Sequence, residues 1–303
     1  MVDAIERSKE LLKILLTPGF QGSLEAYSED TNWDYILKSA MFHGVFNLVA
    51  YNALRLDRTG VLPDKVKDSF KMSLQKTIVY HLLGSYQLRE IVLAFKDIPH
   101  AILKGPVMAD EICPEVAARP YGDFDILIPR ELYKEASDRL RGLGYGEFWL
   151  ERDTGILREA TEEEINIFLR GHHHAFPFRH STKDYREIEL HWSLCKSAYG
   201  CRIIQGKLLE DLIPYEFSGI SSWRLSNENL LFHACVNDIY EVPHKFKRIC
   251  DIWYILVRLG DDLNWDKFIN DVKEHGATKP IAISLHQIER VHRGLIPRNV
   301  LAE

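Results

Sequence analysis

The apolar residues of this chain recur with two different periods, and the change between them constrains the fold most strongly. Over residues 3–95 they recur with the helical period, as in "NWDYILKSAMFHGVFNLVAYNALRL", which predicts amphipathic helices. Near residue 98 the pattern changes. The segments "DFDILI" (123–128) and "REIELHW" (186–192) alternate apolar and polar residues, which predicts half-buried strands. From about residue 205 to 293 the helical pattern returns.

The middle of the chain has the rhythm of a compact unit of strands and helices. "HAILKG" predicts a short strand, and "PRELYKEASDRLRGLGYG" predicts a helix that ends at Gly142 or Gly144. Strand, helix, strand and helix then follow one another within about 50 residues. We therefore predict an N-terminal helical region over residues 1–95, an α/β core over 96–200 and a C-terminal helical region over 201–303.

The composition argues against several classes of protein. The net charge is −6, so there is no overall basic field that would attract a long nucleic acid. The five cysteines include no CxxC pair, which argues against a disulfide framework or a cysteine zinc site. The N-terminus lacks the apolar core of a signal peptide. No apolar run approaches the roughly 20 residues that span a bilayer. We expect a cytoplasmic protein with no membrane partner.

Two carboxylates on the predicted strand at 123–128 are separated by a single residue. Asp123 and Asp125 share a strand face, opposite Phe124 and Ile126. Neighbouring like charges repel each other unless a cation or a proton compensates them. The pair therefore indicates either a solvated strand end or a metal site.

A third carboxylate comes from the second alternating strand. Glu189 lies on the polar face of that strand, and Glu187 shares the face and is an alternative partner. Carboxylate oxygens are the ligands that Mg²⁺ prefers, together with water and substrate phosphates. Two ions about 3.5–4 Å apart would hold the entering and leaving oxygens of a phosphoryl transfer. His191 shares the strand face of Glu189. It is interpreted either as a group at the edge of the site or as a hydrogen-bonded structural histidine.

Three segments in order resemble one known family. They are "AILKGPVMADEI", "ARPYGDFDILIPRELYKEASDRLRGLGYG" and "REIELHWSL". In the uncharacterised nucleotidyltransferase family of the DNA polymerase β-like superfamily, a Lys-Gly pair follows a first strand. An Arg then precedes Asp-x-Asp, a helix ends in Leu-x-x-x-Gly-Tyr, and a later strand reads Glu-Leu-His-Trp. The resemblance covers roughly residues 30 to 280.

The resemblance implies an α+β fold, with a nucleotidyltransferase-like mixed β-sheet core flanked by helices. It also implies transfer of a nucleoside monophosphate from a nucleoside triphosphate such as ATP, with two Mg²⁺ ions for which Mn²⁺ can substitute. Asp123 and Asp125 would bind both metals, and Glu189 would complete one metal site. The acceptor would be a hydroxyl of a small molecule, a peptide or a protein.

Several basic residues are candidates for the nucleotide phosphates. Arg119 could contact a phosphate as a bidentate fork, or form a salt bridge with an acid. Lys245 and Arg248 lie three residues apart near a predicted helix start, and would touch triphosphate oxygens or form a solvated face. Lys104 could add charge beside Gly105, whose backbone could approach a phosphate at a helix start.

The chain departs from the wider superfamily at the phosphate loop. Most active members carry Gly-Ser about ten residues before the first Asp, as the resemblance implies. Here Lys104-Gly105 stands eighteen residues before Asp123. This departure leaves open a second function, a catalytically silent nucleotide- or partner-binding module of the same fold. A third, a metal-dependent phosphohydrolase, stays open because clustered carboxylates serve that chemistry equally well.

Overall fold

The structure is a computed structural model that describes residues 2–27, 31–150, 157–171, 173–182, 184–196, 200–240, 243 and 245–302. Helices dominate both ends of this described part. They are α1 (Val2–Leu16), α2 (Trp33–Phe42), α3 (Phe46–Leu56), α4 (Asp64–Ala94), α5 (Gly105–Val107), α6 (Tyr133–Gly142), α7 (Glu162–Arg170), α8 (Gln205–Glu210), α9 (Asn227–Tyr240), α10 (Phe246–Leu259), α11 (Trp265–Glu274), α12 (Thr278–Val291) and α13 (Arg298–Ala302).

Eight strands of the described residues form one mixed sheet. They are β1 (Ala101–Ile102), β2 (Asp123–Leu127), β3 (Tyr145–Leu150), β4 (Leu157–Glu159), β5 (Ala175–His180), β6 (Glu187–His191), β7 (Leu212–Phe217) and β8 (Ile220–Leu225). Their order across the sheet is β4-β3-β5-β6-β2-β1-β8-β7. The pairs β2–β6 and β1–β8 are parallel, and the other neighbouring pairs are antiparallel. The predicted α+β class with a mixed sheet flanked by helices is confirmed.

The strand that carries the two aspartates lies inside the sheet, between β1 and β6. Its alternation has the predicted effect, because Phe124 and Ile126 are fully buried on one face. Ile188 and Leu190 of β6 extend the same apolar layer. Burial of this layer fixes the register, since a slip of one residue would turn the carboxylates into the core.

The N-terminal helices are tied to the loop before β2 by a buried polar contact. The side-chain nitrogen of Asn47, on α3, donates to the hydroxyl of Thr77 on α4 and to the carbonyl of Ala117, both at 2.8 Å. A buried amide with both donor bonds satisfied strongly specifies its position, because losing one would cost the desolvation of that group. This contact therefore helps to hold the segment that enters β2.

The prediction of helix from residue 205 onward is wrong for residues 212–225, which form the β7–β8 hairpin. The two-residue turn Ser218-Gly219 explains it, because both residues have positive φ, at 49° and 75°. Such turns match the twist of paired strands. Pro214, which cannot donate a hydrogen bond, lies on β7 at the edge of the sheet, where that loss is tolerated. The hairpin extends the sheet through β1.

No helix in the described part of the chain is both long and apolar enough to cross a bilayer.

Candidate active site

The carboxylates of β2 and β6 meet because the two strands pair in parallel. The register places Asp123 opposite Glu187 and Asp125 opposite Glu189. Residues opposite each other on neighbouring strands share a face, with strands about 4.8 Å apart. The acidic positions of two strands whose paired residues are 64 apart in sequence are thus gathered on one face of the sheet.

Asp125 is the buried centre of this group. Lys104 Nζ donates to its Oδ1 at 3.2 Å, and His191 Nε2 lies 2.7 Å from the same oxygen. Burial by itself raises the pKa of Asp125, but the charges of Lys104 and His191 outweigh it and lower that pKa well below its usual range. Asp125 is therefore a carboxylate over the physiological pH range.

The nitrogen of His191 joins Asp125 to Glu189. Its Nε2 is 3.3 Å from Glu189 Oε2, and one ligand atom from each of the three residues lies within 4.8 Å of the others. Burial lowers the pKa of His191, but its hydrogen bonds to Asp125 and Glu189 outweigh this and raise it. Among the described residues, its Nδ1 is buried and has no hydrogen-bond partner.

This donor set fits a divalent cation by its chemistry. Carboxylate oxygens suit Mg²⁺ and Mn²⁺, and an imidazole nitrogen adds a ligand that Mn²⁺ accepts. Asp123 lies two residues before Asp125 on the same face. The partial burial of its carboxyl group and the charges of Asp125 and Glu189 raise the pKa of Asp123. Burial is the larger cause of this rise, and the repulsion from Asp125 and Glu189 adds to it; a bound cation would relieve that repulsion.

Glu187 and Glu189, both on β6, were the two candidates for the third carboxylate, and Glu187 is already paired with an arginine. Arg179 Nε, on β5, donates to Glu187 Oε2 at 2.6 Å. Glu189 has Asp125 as its register partner and His191 as its contact. The arrangement therefore favours Glu189 over Glu187 as the third carboxylate.

Lys104 holds its position through an unusual backbone conformation. Its φ is 43° and its ψ is −107°, which few residues other than glycine adopt. Next to it, Gly105 approaches Tyr121 so closely that a Cβ would lie 2.8 Å from the Tyr121 Cβ and Cγ. Only glycine fits this position. The turn between β1 and α5 thus aims the Lys104 ammonium at Asp125.

A pocket of about 410 Å³ opens beside the two aspartates. Its residues come from the turn before α3, the β1–α5 turn, the segment that leads into β2, and helices α9 and α10. Asp123, Asp125, Lys104 and Gly105 line it, and so do Lys245 and Arg248. Carboxylates and cations thus share one pocket, which suits a polyanion bound together with a metal ion.

Arg119 also lines the pocket, and it pairs with an acid on α10. Its Nε and one terminal nitrogen donate to the two oxygens of Asp251 at 2.7 and 2.6 Å. Such a bidentate pair fixes both side chains. The pair links the loop before β2 to α10, which carries Arg248. Arg119 therefore has the salt bridge that was one of its two expected roles, in a position that still faces the pocket.

Three further basic residues of the site were not predicted as site residues from the sequence; His174, in the triplet at 172–174, was interpreted there as a surface or core histidine. Lys247 lines the pocket beside Arg119, whose charge, together with burial, lowers the pKa of Lys247 to about 8. His233, on α9, is buried, and its Nε2 has no hydrogen-bond partner among the described residues. The ring of His174 packs edge-on against His191 at 5.2 Å. The basic run "HKFKR" could have indicated Lys247, whereas nothing in the helical pattern marks His233.

Comparison with known proteins finds one family, and its structural matches include two distant likenesses. The family model described as "Uncharacterised nucleotidyltransferase" matches residues 29–292. The solution structure of the antibiotic-resistance factor ANT(2'')-Ia is 16 % identical, with a TM-score of 0.41, over 68 % of this chain and 97 % of that one. An antigenic nucleotidyltransferase-like protein from Paracoccidioides brasiliensis is 14 % identical, with a TM-score of 0.38, over 74 % of this chain and 92 % of that one.

A search of curated proteins finds no match. The family model, however, spans most of the chain, including both acidic strands and helices α2 to α12. The chain therefore belongs to the uncharacterised nucleotidyltransferase family.

Proposed function

We propose that this protein transfers a nucleoside monophosphate from a nucleoside triphosphate to a hydroxyl group of an acceptor. One observation carries the proposal: Asp125 lies opposite Glu189 in a parallel strand pair, with Asp123 on the same face and a cation-lined pocket beside them. Family membership supports the reaction class. The acceptor is a small molecule, a peptide or a protein.

Asp123, Asp125 and Glu189 are the residues that would hold two divalent cations, Mg²⁺ or Mn²⁺. When bound, such ions neutralise phosphate charge and favour the anionic form of an attacking hydroxyl. Asp125 is suited to this role because it is ionised and buried, and Glu189 because its side chain is partly accessible, at 35 %. His191 orients both carboxylates through its Nε2.

The basic residues of the pocket bind the triphosphate. Lys245, Lys247 and Arg248 contribute charge from α10 and the residue before it, and Lys104 contributes from the β1–α5 turn. Arg119 faces the same pocket with its guanidinium held by Asp251. Fixed positive groups of this kind stabilise the charge that develops on the transferred phosphoryl group without reorganising.

The chemical step exchanges one phosphorus–oxygen bond for another. The acceptor oxygen bonds to the α-phosphorus while the bond from that phosphorus to the bridging oxygen breaks, and pyrophosphate leaves with the electron pair. Glu189 accepts the hydroxyl proton. Most of the rate enhancement would come from alignment and electrostatics, as in other phosphoryl transfers.

A second candidate is a silent module of the same fold that binds nucleotide without turnover. The contact between Lys104 and Asp125 favours it, because the ammonium compensates a carboxylate that an active enzyme would offer to a metal. The presence of Lys104-Gly105 in place of the Gly-Ser pair of most active members also favours the silent module. A phosphohydrolase is the third alternative, since clustered carboxylates also serve that reaction.

Incubation with α-labelled nucleoside triphosphates, Mg²⁺ and pools of metabolites and peptides separates the three. A labelled adduct with released pyrophosphate supports transfer. Phosphate release without an adduct supports hydrolysis, and binding without turnover supports the silent module. Asp125→Asn should abolish adduct formation, whereas the control Asp138→Asn, on the surface of α6, should leave it unchanged. An adduct that persists at full yield in Asp125→Asn would refute the proposed site.

A further inference from the structure

One face of α4 exposes a stripe of large apolar residues. Met72, Val79, Tyr86 and Leu93 follow one another at intervals of seven, and each is between 54 and 71 % exposed. Leu82 and Leu83 lie between them and are 58 and 64 % exposed. These six residues are called the α4 stripe. A seven-residue apolar repeat is the pattern by which one helix packs along another.

Among the described residues, those of α4 that are buried in the core lie on the helix face opposite the stripe. The opposite face of α4 packs into the core through Val66, Phe70, Leu88 and Ile91. Each of the six residues of the α4 stripe is more than half exposed, whereas a stable interface takes about 800 Å² of surface from each partner. Monomeric proteins rarely leave so large an apolar patch in water.

We propose that the α4 stripe is a homodimer interface, in which the α4 helices of two copies pack antiparallel around a two-fold axis near Leu82 and Leu83. This arrangement would set Met72 opposite Leu93 of the second copy, and Val79 opposite Tyr86. The stripe faces itself, so one surface patch serves both chains, as in isologous dimers. The inference is independent of the proposed catalytic function.

Two charged residues at the edge of the α4 stripe indicate that its partner is a second copy of this chain and that the two α4 helices run antiparallel. Lys76 and Glu90 lie seven residues before and seven residues after Leu83, and so continue the edge of the stripe that Leu83 forms. In the antiparallel pair each Lys76 meets Glu90 of the second copy, which gives two ion pairs at the rim. In a parallel pair the two-fold axis runs along the helices, so the two copies of Lys76 would lie on opposite sides of the seam, and each would face Lys71 of the second copy, a like-charge contact. The pattern is therefore complementary to itself only in the antiparallel sense.

Sedimentation equilibrium of the full chain tests the interface. The expected mass is twice 35.2 kDa at micromolar concentration. Leu83→Glu should raise the dimer dissociation constant about 100-fold or more, because the two-fold axis brings two unpaired charges into one apolar interface. The matched control is Ile167→Glu on α7, another exposed aliphatic residue, and it should leave the dimer intact.

Exchanging the charges of Lys76 and Glu90 tests whether the two α4 helices pack antiparallel. Lys76→Glu and Glu90→Lys should each weaken the dimer, and the double variant should restore it. Circular dichroism and thermal melting establish that each variant is folded, and Tyr86→Ser offers a milder substitution if Leu83→Glu is not. A monomeric unmodified chain, or a dimer that withstands both Leu83→Glu and Tyr86→Ser, overturns the proposal. Single charge variants with no effect overturn the antiparallel arrangement.

Discussion

The ammonium of Lys104 lies 3.2 Å from Asp125 Oδ1, and the backbone that brings it there has a φ of 43°. Conformations of this kind cost about 1–3 kcal/mol in residues other than glycine, and they concentrate at functional sites. The contact thus joins local strain to the buried carboxylate at the centre of the proposed metal site. Substitutions of Lys104 can therefore measure both the backbone strain and the effect of the ammonium charge on metal binding.

The first prediction concerns the strain. Lys104→Met keeps the side-chain bulk and the strained backbone but removes the charge, whereas Lys104→Gly also removes the strain. We expect Lys104→Gly to be more stable to urea than Lys104→Met by about 1 kcal/mol or more, since glycine accepts positive φ without a steric cost. Equal stability of the two variants would show that the backbone at this position relaxes without cost.

The second prediction concerns metal binding. Without the ammonium of Lys104, a divalent cation meets less repulsion at Asp125. Lys104→Met should therefore bind Mn²⁺ about three- to tenfold more tightly in the absence of nucleotide. Electron paramagnetic resonance of free Mn²⁺ measures this affinity directly. Lys134→Met, which removes an exposed lysine of α6, is the control and should not change it. Weaker Mn²⁺ binding in Lys104→Met would contradict the expectation.

The third prediction concerns the close approach of Gly105 to Tyr121. Gly105→Ala would place a Cβ 2.8 Å from the Tyr121 side chain, and it should destabilise the protein by about 1–3 kcal/mol by overpacking. The displaced turn should also weaken triphosphate binding. Gly142→Ala, at the end of α6, meets no atom within 4 Å. This control should be neutral or should stabilise by up to about 1 kcal/mol. Urea unfolding and nucleotide titration test both effects.

The fourth prediction concerns the pH dependence of nucleotide binding. Arg119 and burial lower the pKa of Lys247 to about 8, so its charge is present at pH 7 and mostly lost at pH 9. If Lys247 contacts the triphosphate, the dissociation constant should rise by up to about tenfold over this range, as the charged fraction falls. Lys247→Arg keeps its charge and should flatten the profile. A profile of unchanged slope in Lys247→Arg would remove Lys247 from the phosphate site.

The fifth prediction concerns stability in acid. Burial and the charge of Arg186 lower the pKa of His81 to about 4, from an ordinary value of 6.5. As the pH falls from 6.5 towards 4, His81 therefore takes up a proton in the unfolded chain but stays neutral in the folded chain. Stability should decrease over that window, by about 2 kcal/mol between pH 7 and pH 5 from this residue.

His81→Gln tests this contribution by urea unfolding at the two pH values. The variant should lose about 2 kcal/mol less on acidification than the unmodified protein. His286→Gln, at an exposed histidine of α12, serves as the control and should retain the full loss. If both variants behave alike, His81 is not the source of the acid sensitivity.

The sequence predicted the parts of the site that depend on local pattern. The alternation in "DFDILI" and "REIELHW" placed Asp123, Asp125 and Glu189 on polar strand faces, because side chains on a strand alternate between its two sides. The same rule could not choose between Glu187 and Glu189, which share a face. The choice depends on Arg179, which lies on a neighbouring strand and pairs with Glu187.

By itself, then, the sequence determined the two acidic strands and the strand that ends at Lys104-Gly105, since periodicity acts over a few residues. The α+β class was implied by the resemblance of three ordered segments to a known family. The tertiary structure decided the parallel register that joins Asp125 to Glu189, the contact of His191 with both, and the presence of Lys247 and His233 at the pocket. It also decided that residues 212–225 extend the sheet. Each of these depends on contacts between residues distant in sequence, and such contacts form only when the whole core is packed.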